Sequence, residues 1–149
     1  MNGARDPIEH RHRLRVYWED TDAGGVVFYA NYLKFFERAR TEWLRALGFE
    51  QQAMRDRDGT IFVVSHTALN YLAPARLDDL LEITVEVRER GRASLAFHQQ
   101  AWRLGADGTP AVLLTEGTIR IGCVDAQNIR PRRIPAPVLE RLGAASTAS

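Results

Sequence analysis

Residues 17 to 40 read YWEDTDAGGVVFYANYLKFFERAR, and the order of residue types within this stretch decides the fold. Leading into it, Arg13 to Glu19 alternates Leu14, Val16 and Trp18 with Arg13, Arg15 and Tyr17, the period of a strand with one face buried. Leading out of it, Tyr32, Phe36, Ala39, Trp43 and Leu47 recur at spacings of three and four. That spacing predicts a helix from about Tyr29 to Leu47 with one buried stripe, ended by Gly48. On its other face Glu37 with Arg40, Arg38 with Glu42, and Glu42 with Arg45 stand three or four residues apart and read as supporting ion pairs. Between strand and helix lie two acids, Asp20 and Asp22, and two adjacent glycines, Gly24 and Gly25.

Further along, Ile61 to Leu72 reads as a strand, and APARLDD (73–79) as a connection. Leu81, Ile83, Val85 and Val87 then alternate with Glu82, Thr84, Glu86 and Arg88. A tight reversal around Gly91 leads into Leu95 to Leu104, and an Asp107-Gly108 hairpin signal leads into Val112 to Val124. The first ten residues and residues 132–149, with Pro135 and Pro137, read as irregular, with at most a short helix near Val138 to Leu142. One long helix and a run of antiparallel strands make an α+β domain spanning residues 1–149, its sheet wrapped around the helix. A single helix leaves sheet face and edge strands uncovered, so a homo-oligomer is expected.

Composition narrows the function classes. At 149 residues with 45% apolar content the chain suits one domain with its own core, and a net charge of +1 gives no field for nucleic acid or an anionic membrane. The single cysteine, Cys123, rules out an internal disulfide framework and fits a reducing compartment. No apolar run reaches signal-peptide or membrane-span length, so a cytoplasmic protein is expected.

Read locally, DTDAGG imitates the opening of a calcium loop, with Asp20, Asp22 and Gly25 in the first, third and sixth positions. Gly24 in the fifth position and Asn31 in the twelfth lack the oxygen ligands that such a loop needs, and no cysteine and histidine spacing suits zinc. Nucleophile-elbow, Walker and dinucleotide glycine patterns are absent. Local chemistry alone favours a turn in which the aspartates cap backbone groups and the glycines supply positive backbone angles.

The string Y-x-E-D-T-D-A-G-G-V-V-x-Y-A-N-Y-x-x-F-x-E-R-A-R, with the later FVVSHTALNYLAPARLDDLLEI, resembles the hotdog-fold acyl-CoA thioesterases of the 4-hydroxybenzoyl-CoA thioesterase family. The resemblance runs from about Arg13 to Pro131 and is greatest to the members associated with the Tol-Pal system. It implies a hotdog fold, a homotetramer, and metal-free hydrolysis of acyl-CoA to a free acid and coenzyme A, which is substrate and not cofactor. It makes Asp22 the catalytic carboxylate, as nucleophile or general base, with Asp20 structural. Tyr29 would contribute its backbone N–H to polarise the thioester carbonyl. A helix N-terminus suits that task because its amides are unpaired and carry partial positive charge, and Gly25 lets the chain approach the substrate closely.

Arg88, Arg90 and Arg92 cluster around the Gly91 turn, where the 4-hydroxybenzoyl enzymes carry basic residues that meet coenzyme A phosphates; a solvated turn is the other reading. The Tol-Pal group commonly has histidine at the position of Tyr29 and the 4-hydroxybenzoyl group tyrosine, so an aromatic acyl-CoA thioesterase is the alternative enzyme. A non-catalytic acyl-binding protein of the envelope system is the alternative from another class. Acyl carrier protein and the inner membrane face are the further partners that the resemblance suggests.

Overall fold

The structure is a computed structural model that describes residues 6–147. In chain order it contains β1 (His10–Arg15), a 3-10 turn (Trp18–Asp20), α1 (Asn31–Ala46), α2 (Gln51–Asp58), β2 (Thr60–Tyr71), β3 (Leu80–Arg90), β4 (Ser94–Leu104), β5 (Pro110–Asp125) and α3 (Ala136–Thr147). The strands form one five-stranded sheet in the order β1-β3-β4-β5-β2, with every neighbouring pair antiparallel. Among the described residues no helix is long and apolar enough to cross a membrane.

The sheet curls around α1 because α1 presents six buried side chains to it: Tyr32, Phe35, Phe36, Ala39, Trp43 and Leu44. They pack on the inward residues Leu81, Ile83, Val85, Phe97, Ala101 and Ile119, and the Trp43 ring meets Phe97 edge-on at 5.4 Å between centroids. Each wholly buried large side chain of this kind contributes about 2 kcal/mol. Polar side chains are sealed among them too, Gln99 and Thr115 most completely. Gln99 is 0% exposed, and its Nε2 donates to the Phe36 carbonyl at 3.1 Å and to the Thr84 carbonyl at 3.2 Å. Its Oε1 accepts from Arg40 Nη1 at 2.9 Å, so Gln99 locks helix to sheet at one register.

Three expectations need correction, and one element was not foreseen. Strand β1 stops at Arg15, and Trp18 is 81% exposed instead of buried. The cause is local: Asp20 Oδ2 accepts from the Tyr17 amide at 2.8 Å and Thr21 N donates to the Trp18 carbonyl at 3.0 Å, which folds the chain into a turn and breaks the alternation. Helix α1 begins at Asn31, which leaves Tyr29 in the turn before it. Helix α2, which buries only Met54, has too narrow an apolar stripe to announce itself in sequence. The tail holds a twelve-residue helix, α3, not irregular chain, anchored by Val138 and Leu142, each 1% exposed. Pro135 and Pro137 bracket its first residue, where a missing N–H leaves no helical bond unmade. Of the N-terminal stretch expected to be irregular, residues 6–9 are neither helix nor strand, and residues 1–5 lie outside the described residues.

Candidate active site

Residues 20–28 form a narrow ribbon. The Phe28 amide donates to the Asp20 carbonyl at 3.0 Å, Thr21 pairs with Val27, and the Asp22 amide donates to the Val26 carbonyl at 2.9 Å. A turn closes the ribbon where the Gly25 amide donates to the Asp22 carbonyl at 3.0 Å, and Gly25 takes φ +80°, a backbone angle that side chains resist. The ribbon is fastened to the connection after β2 by the Val27 amide, which donates to the Ala75 carbonyl at 2.8 Å, and by a bridge from Val26 to Arg76.

Asp22 sits at the exposed tip. Its Oδ1 accepts from the Gly24 amide at 2.8 Å and more distantly from the Val26 amide at 3.5 Å, so the carboxylate is aimed by backbone, and among the described residues nothing donates to Oδ2. The fit is close, because a Cβ on Gly24 would lie 3.2 Å from Asp22 Oδ1. Asp20 does different work: its carboxylate holds the Tyr17 amide, and its carbonyl takes Asn31 Nδ2 at 2.8 Å as well as the Phe28 amide. Asn31 therefore ties the first turn of α1 to the ribbon. Sequence reasoning passed over it, because its side chain does not cap the helix but reaches a carbonyl eleven residues back, which no local pattern reports.

At the start of α1 the carbonyls of Phe28, Tyr29 and Ala30 accept from Asn31, Tyr32 and Leu33. Among the described residues nothing accepts from the Tyr29 amide, which stays open at the positive end of the helix. The Tyr29 ring packs 4.8 Å from Phe28 and 6.0 Å from Tyr71, centroid to centroid, and Tyr71 also meets Tyr32 at 5.9 Å. These tyrosines, with Val27 and residues 72–74, line a cleft of about 270 Å³ beside the amide. Tyr71 was also missed, although alternation along β2 sets it on the inward face opposite Thr115.

The arginines of the Gly91 turn are elsewhere. Arg88 Nε pairs with Glu86 at 2.6 Å, and Arg90 Nη2 pairs with Glu9 at 3.2 Å. Arg92 is exposed, and its carbonyl accepts from the Ile134 amide. Asp79, bonded to Val16 and Arg76 beside the ribbon, precedes β3, and the turn follows the far end of that strand. At about 3.3 Å per residue the two ends stand roughly 30 Å apart, so one protomer does not bring Asp22 and these arginines together.

Of the ion pairs expected on α1, Glu42 with Arg45 forms. Glu37 instead accepts from Thr41 Oγ1, and Arg40 turns inward to Gln99 and lies 6.0 Å from the Phe97 ring centre. Burial lowers the Arg40 guanidinium to about 10, against a smaller upward pull from Glu37. His98 stands between Glu86 and Glu116 on the outer face, 3.6 and 3.2 Å away, so it is a partnered strand residue. Cys123 is buried, which raises its thiol, as expected of a small core residue.

The chain matches the thioesterase superfamily over residues 24–108, which take in α1 and most of the sheet that wraps it. The chain belongs to the thioesterase superfamily. This thioesterase is 44% identical over 125 residues to the acyl-CoA thioesterase YbgC of Haemophilus influenzae, which covers 84% of this chain and 88% of that protein. It is 45% identical over 126 residues to the acyl-CoA thioester hydrolase YbgC of Escherichia coli O6:H1, covering 85% and 90%. Among solved structures, a probable thioesterase from Bartonella henselae superposes with a TM-score of 0.72 at 34% identity, covering 85% of this chain and 98% of that one. The thioesterase has the α+β hotdog fold that its sequence implied. Tyr29 and the arginine turn lie inside the matched segment, and Asp22 lies two residues ahead of it.

Proposed function

We propose that this thioesterase hydrolyses acyl-CoA to a free acid and coenzyme A, with Asp22 as the catalytic carboxylate and the Tyr29 main-chain N–H polarising the thioester carbonyl. One observation carries the reading: a single ribbon presents a backbone-aimed carboxylate and leads directly to an unclaimed amide at a helix start, beside an apolar cleft. The carbonyl oxygen accepts from the Tyr29 amide as it gains negative charge. Asp22 takes a proton from water as the water attacks the carbonyl carbon; direct attack by Asp22 would give a mixed anhydride that water then opens. In either route the carbon–sulfur bond breaks toward sulfur. A thiol with a pKa of about 8.5 leaves as its thiolate, so no strong acid and no metal is required. The names of the Haemophilus and Escherichia relatives support the substrate class.

The tyrosine-lined cleft favours a second reading, in which the acyl group is aromatic and stacks on Tyr29, Tyr32 or Tyr71. Thiol release from short, long and aromatic acyl-CoA, for the wild type beside Asp22→Asn, tests both readings. Turnover by the wild type and none by the variant supports Asp22, and the preferred acyl group decides between aliphatic and aromatic. Binding of acyl-CoA without thiol release by the wild type sinks the hydrolase reading in favour of an acyl-binding protein.

The assembly belongs to the same reading: a homotetramer, built as a dimer of dimers, in which coenzyme A held at one copy's Asp22 and Gly25 is also served by the arginines of another copy's Gly91 turn. The separation of about 30 Å along β3 supports sharing of this kind. Work in the cytoplasm beside the Tol-Pal machinery, with passing contact to acyl carrier protein or the inner membrane face, completes the proposal and rests on resemblance alone.

A further inference from the structure

The carboxylate and the open amide stand on two pieces of chain. Asp22 lies at the tip of the ribbon, and the Tyr29 amide lies in the turn that opens α1. Gly24 and Gly25 lie in the chain between them, so covalent continuity alone holds their separation loosely. The ribbon's other fastenings, Val27 to Ala75 and Val26 to Arg76, lead to the connection after β2 and not to the helix.

A single side chain spans the gap. Asn31, half-buried in the first turn of α1, donates through Nδ2 to the Asp20 carbonyl at 2.8 Å, and the Phe28 amide donates to the same oxygen at 3.0 Å. A carbonyl oxygen has two lone pairs, so both arms of the ribbon and the helix meet at one fully used acceptor. Among the described residues no other side-chain hydrogen bond joins the ribbon to α1. Nor does α1 need this side chain in order to begin, because the amides of Asn31, Tyr32 and Leu33 already donate to the carbonyls of Phe28, Tyr29 and Ala30. Asn31 is also absent from the wall of the tyrosine cleft. What its side chain sets is the place of the ribbon relative to the helix.

We propose that Asn31 is a positioning residue: its Nδ2–H holds the Asp20 carbonyl, and through it the Asp22 tip, at a fixed place beside the Tyr29 amide. It acts through the ribbon and not on the reacting atoms. The base and the oxyanion donor must reach one carbonyl group from two sides, and about 1 Å of misplacement costs about 100-fold in rate. For its effect on turnover this inference rests on the hydrolase reading; for its effect on the ribbon it does not.

The test uses the full chain as wild type, Asn31→Ala, Asn31→Asp, Asp22→Asn and the double variant that joins Asn31→Ala to Asp22→Asn. Asn31→Ala should lower kcat for thiol release about 10- to 100-fold, while KM stays within about twofold and the melting temperature falls by only about 2–4 °C. Asn31→Asp keeps the shape and suits a helix start at least as well, but it has no donor for a carbonyl, so it should fare no better. In the Asp22→Asn background the same Asn31→Ala change should cost less than about twofold, because no base is left to place. Hydrogen exchange at the Phe28 amide, read by NMR, should speed about tenfold in Asn31→Ala as the ribbon loosens. Wild-type kcat in Asn31→Ala, recovery in Asn31→Asp, or an undiminished loss in the Asp22→Asn background overturns the proposal. A wild type that releases no thiol sinks the hydrolase reading alone; faster Phe28 exchange in Asn31→Ala then supports the positioning role, and unchanged exchange overturns it.

Discussion

Asp22→Asn separates chemistry from architecture in one substitution. In the structure Oδ1 accepts from the Gly24 amide at 2.8 Å, and an asparagine oxygen accepts from the same amide, so the turn keeps its shape. What is lost is the difference between a charged and a neutral acceptor, about 1 kcal/mol, worth roughly 2–4 °C of melting temperature in a domain of this size. The chemical loss is larger. Removing a positioned base costs about 100- to 10,000-fold in kcat, which corresponds to about 3–5 kcal/mol of transition-state stabilisation. Thiol release under saturating acyl-CoA measures it, with a melting curve on the same sample. Asp20→Asn is the control: its side chain holds only the Tyr17 amide, while the ribbon hangs on its carbonyl, so turnover should fall less than tenfold. An Asp22→Asn enzyme that keeps a tenth or more of wild-type kcat, or an Asp20→Asn enzyme that loses more than Asp22→Asn, would refute the assignment.

Tyr29→Phe should change kcat less than twofold, because the ring contacts to Phe28 and Tyr71 survive and the amide is main chain; a tenfold loss in thiol release means the phenol takes part. Gly24→Ala places a methyl 3.2 Å from Asp22 Oδ1 and should lower kcat about tenfold, a shift of about 1.4 kcal/mol, with little change in melting temperature. Gly117→Ala is the reverse case. A Cβ there would lie 2.1 Å from the Ala68 carbonyl oxygen and 2.9 Å from Leu69 Cα, so β2 must shift, and denaturant titration should show a loss of about 1–3 kcal/mol.

The buried stripe of α1, the alternation in β3 and both hairpin turns were legible because each repeats one physical pattern over many residues. The end of β1 was not. Three further residues fit the strand period, yet Asp20 turns back to the Tyr17 amide and the chain folds into a turn that leaves Trp18 exposed. The α1 ion pairs misled for a similar reason. Spacing brings Glu37 within reach of Arg40, but Gln99 comes from β4, and no helical pattern can report an acceptor on a strand 59 residues away. The geometry around Asp22 was least legible, because it consists of amides and carbonyls that every residue carries. There, only resemblance over the whole string pointed to Asp22.

The ribbon's dependence on main chain has a consequence for how such enzymes diversify. Asp22 is aimed by the amides of Gly24 and Val26, the ribbon by the carbonyls of Asp20 and Ala75, and the open amide is that of whatever residue stands at position 29. The cleft wall, by contrast, is made of the side chains of Tyr29, Tyr32, Tyr71 and Leu72. On the proposed reading, mutation can recolour the wall residue by residue, exchanging one acyl preference for another, while the ribbon's geometry is inherited unchanged through the backbone.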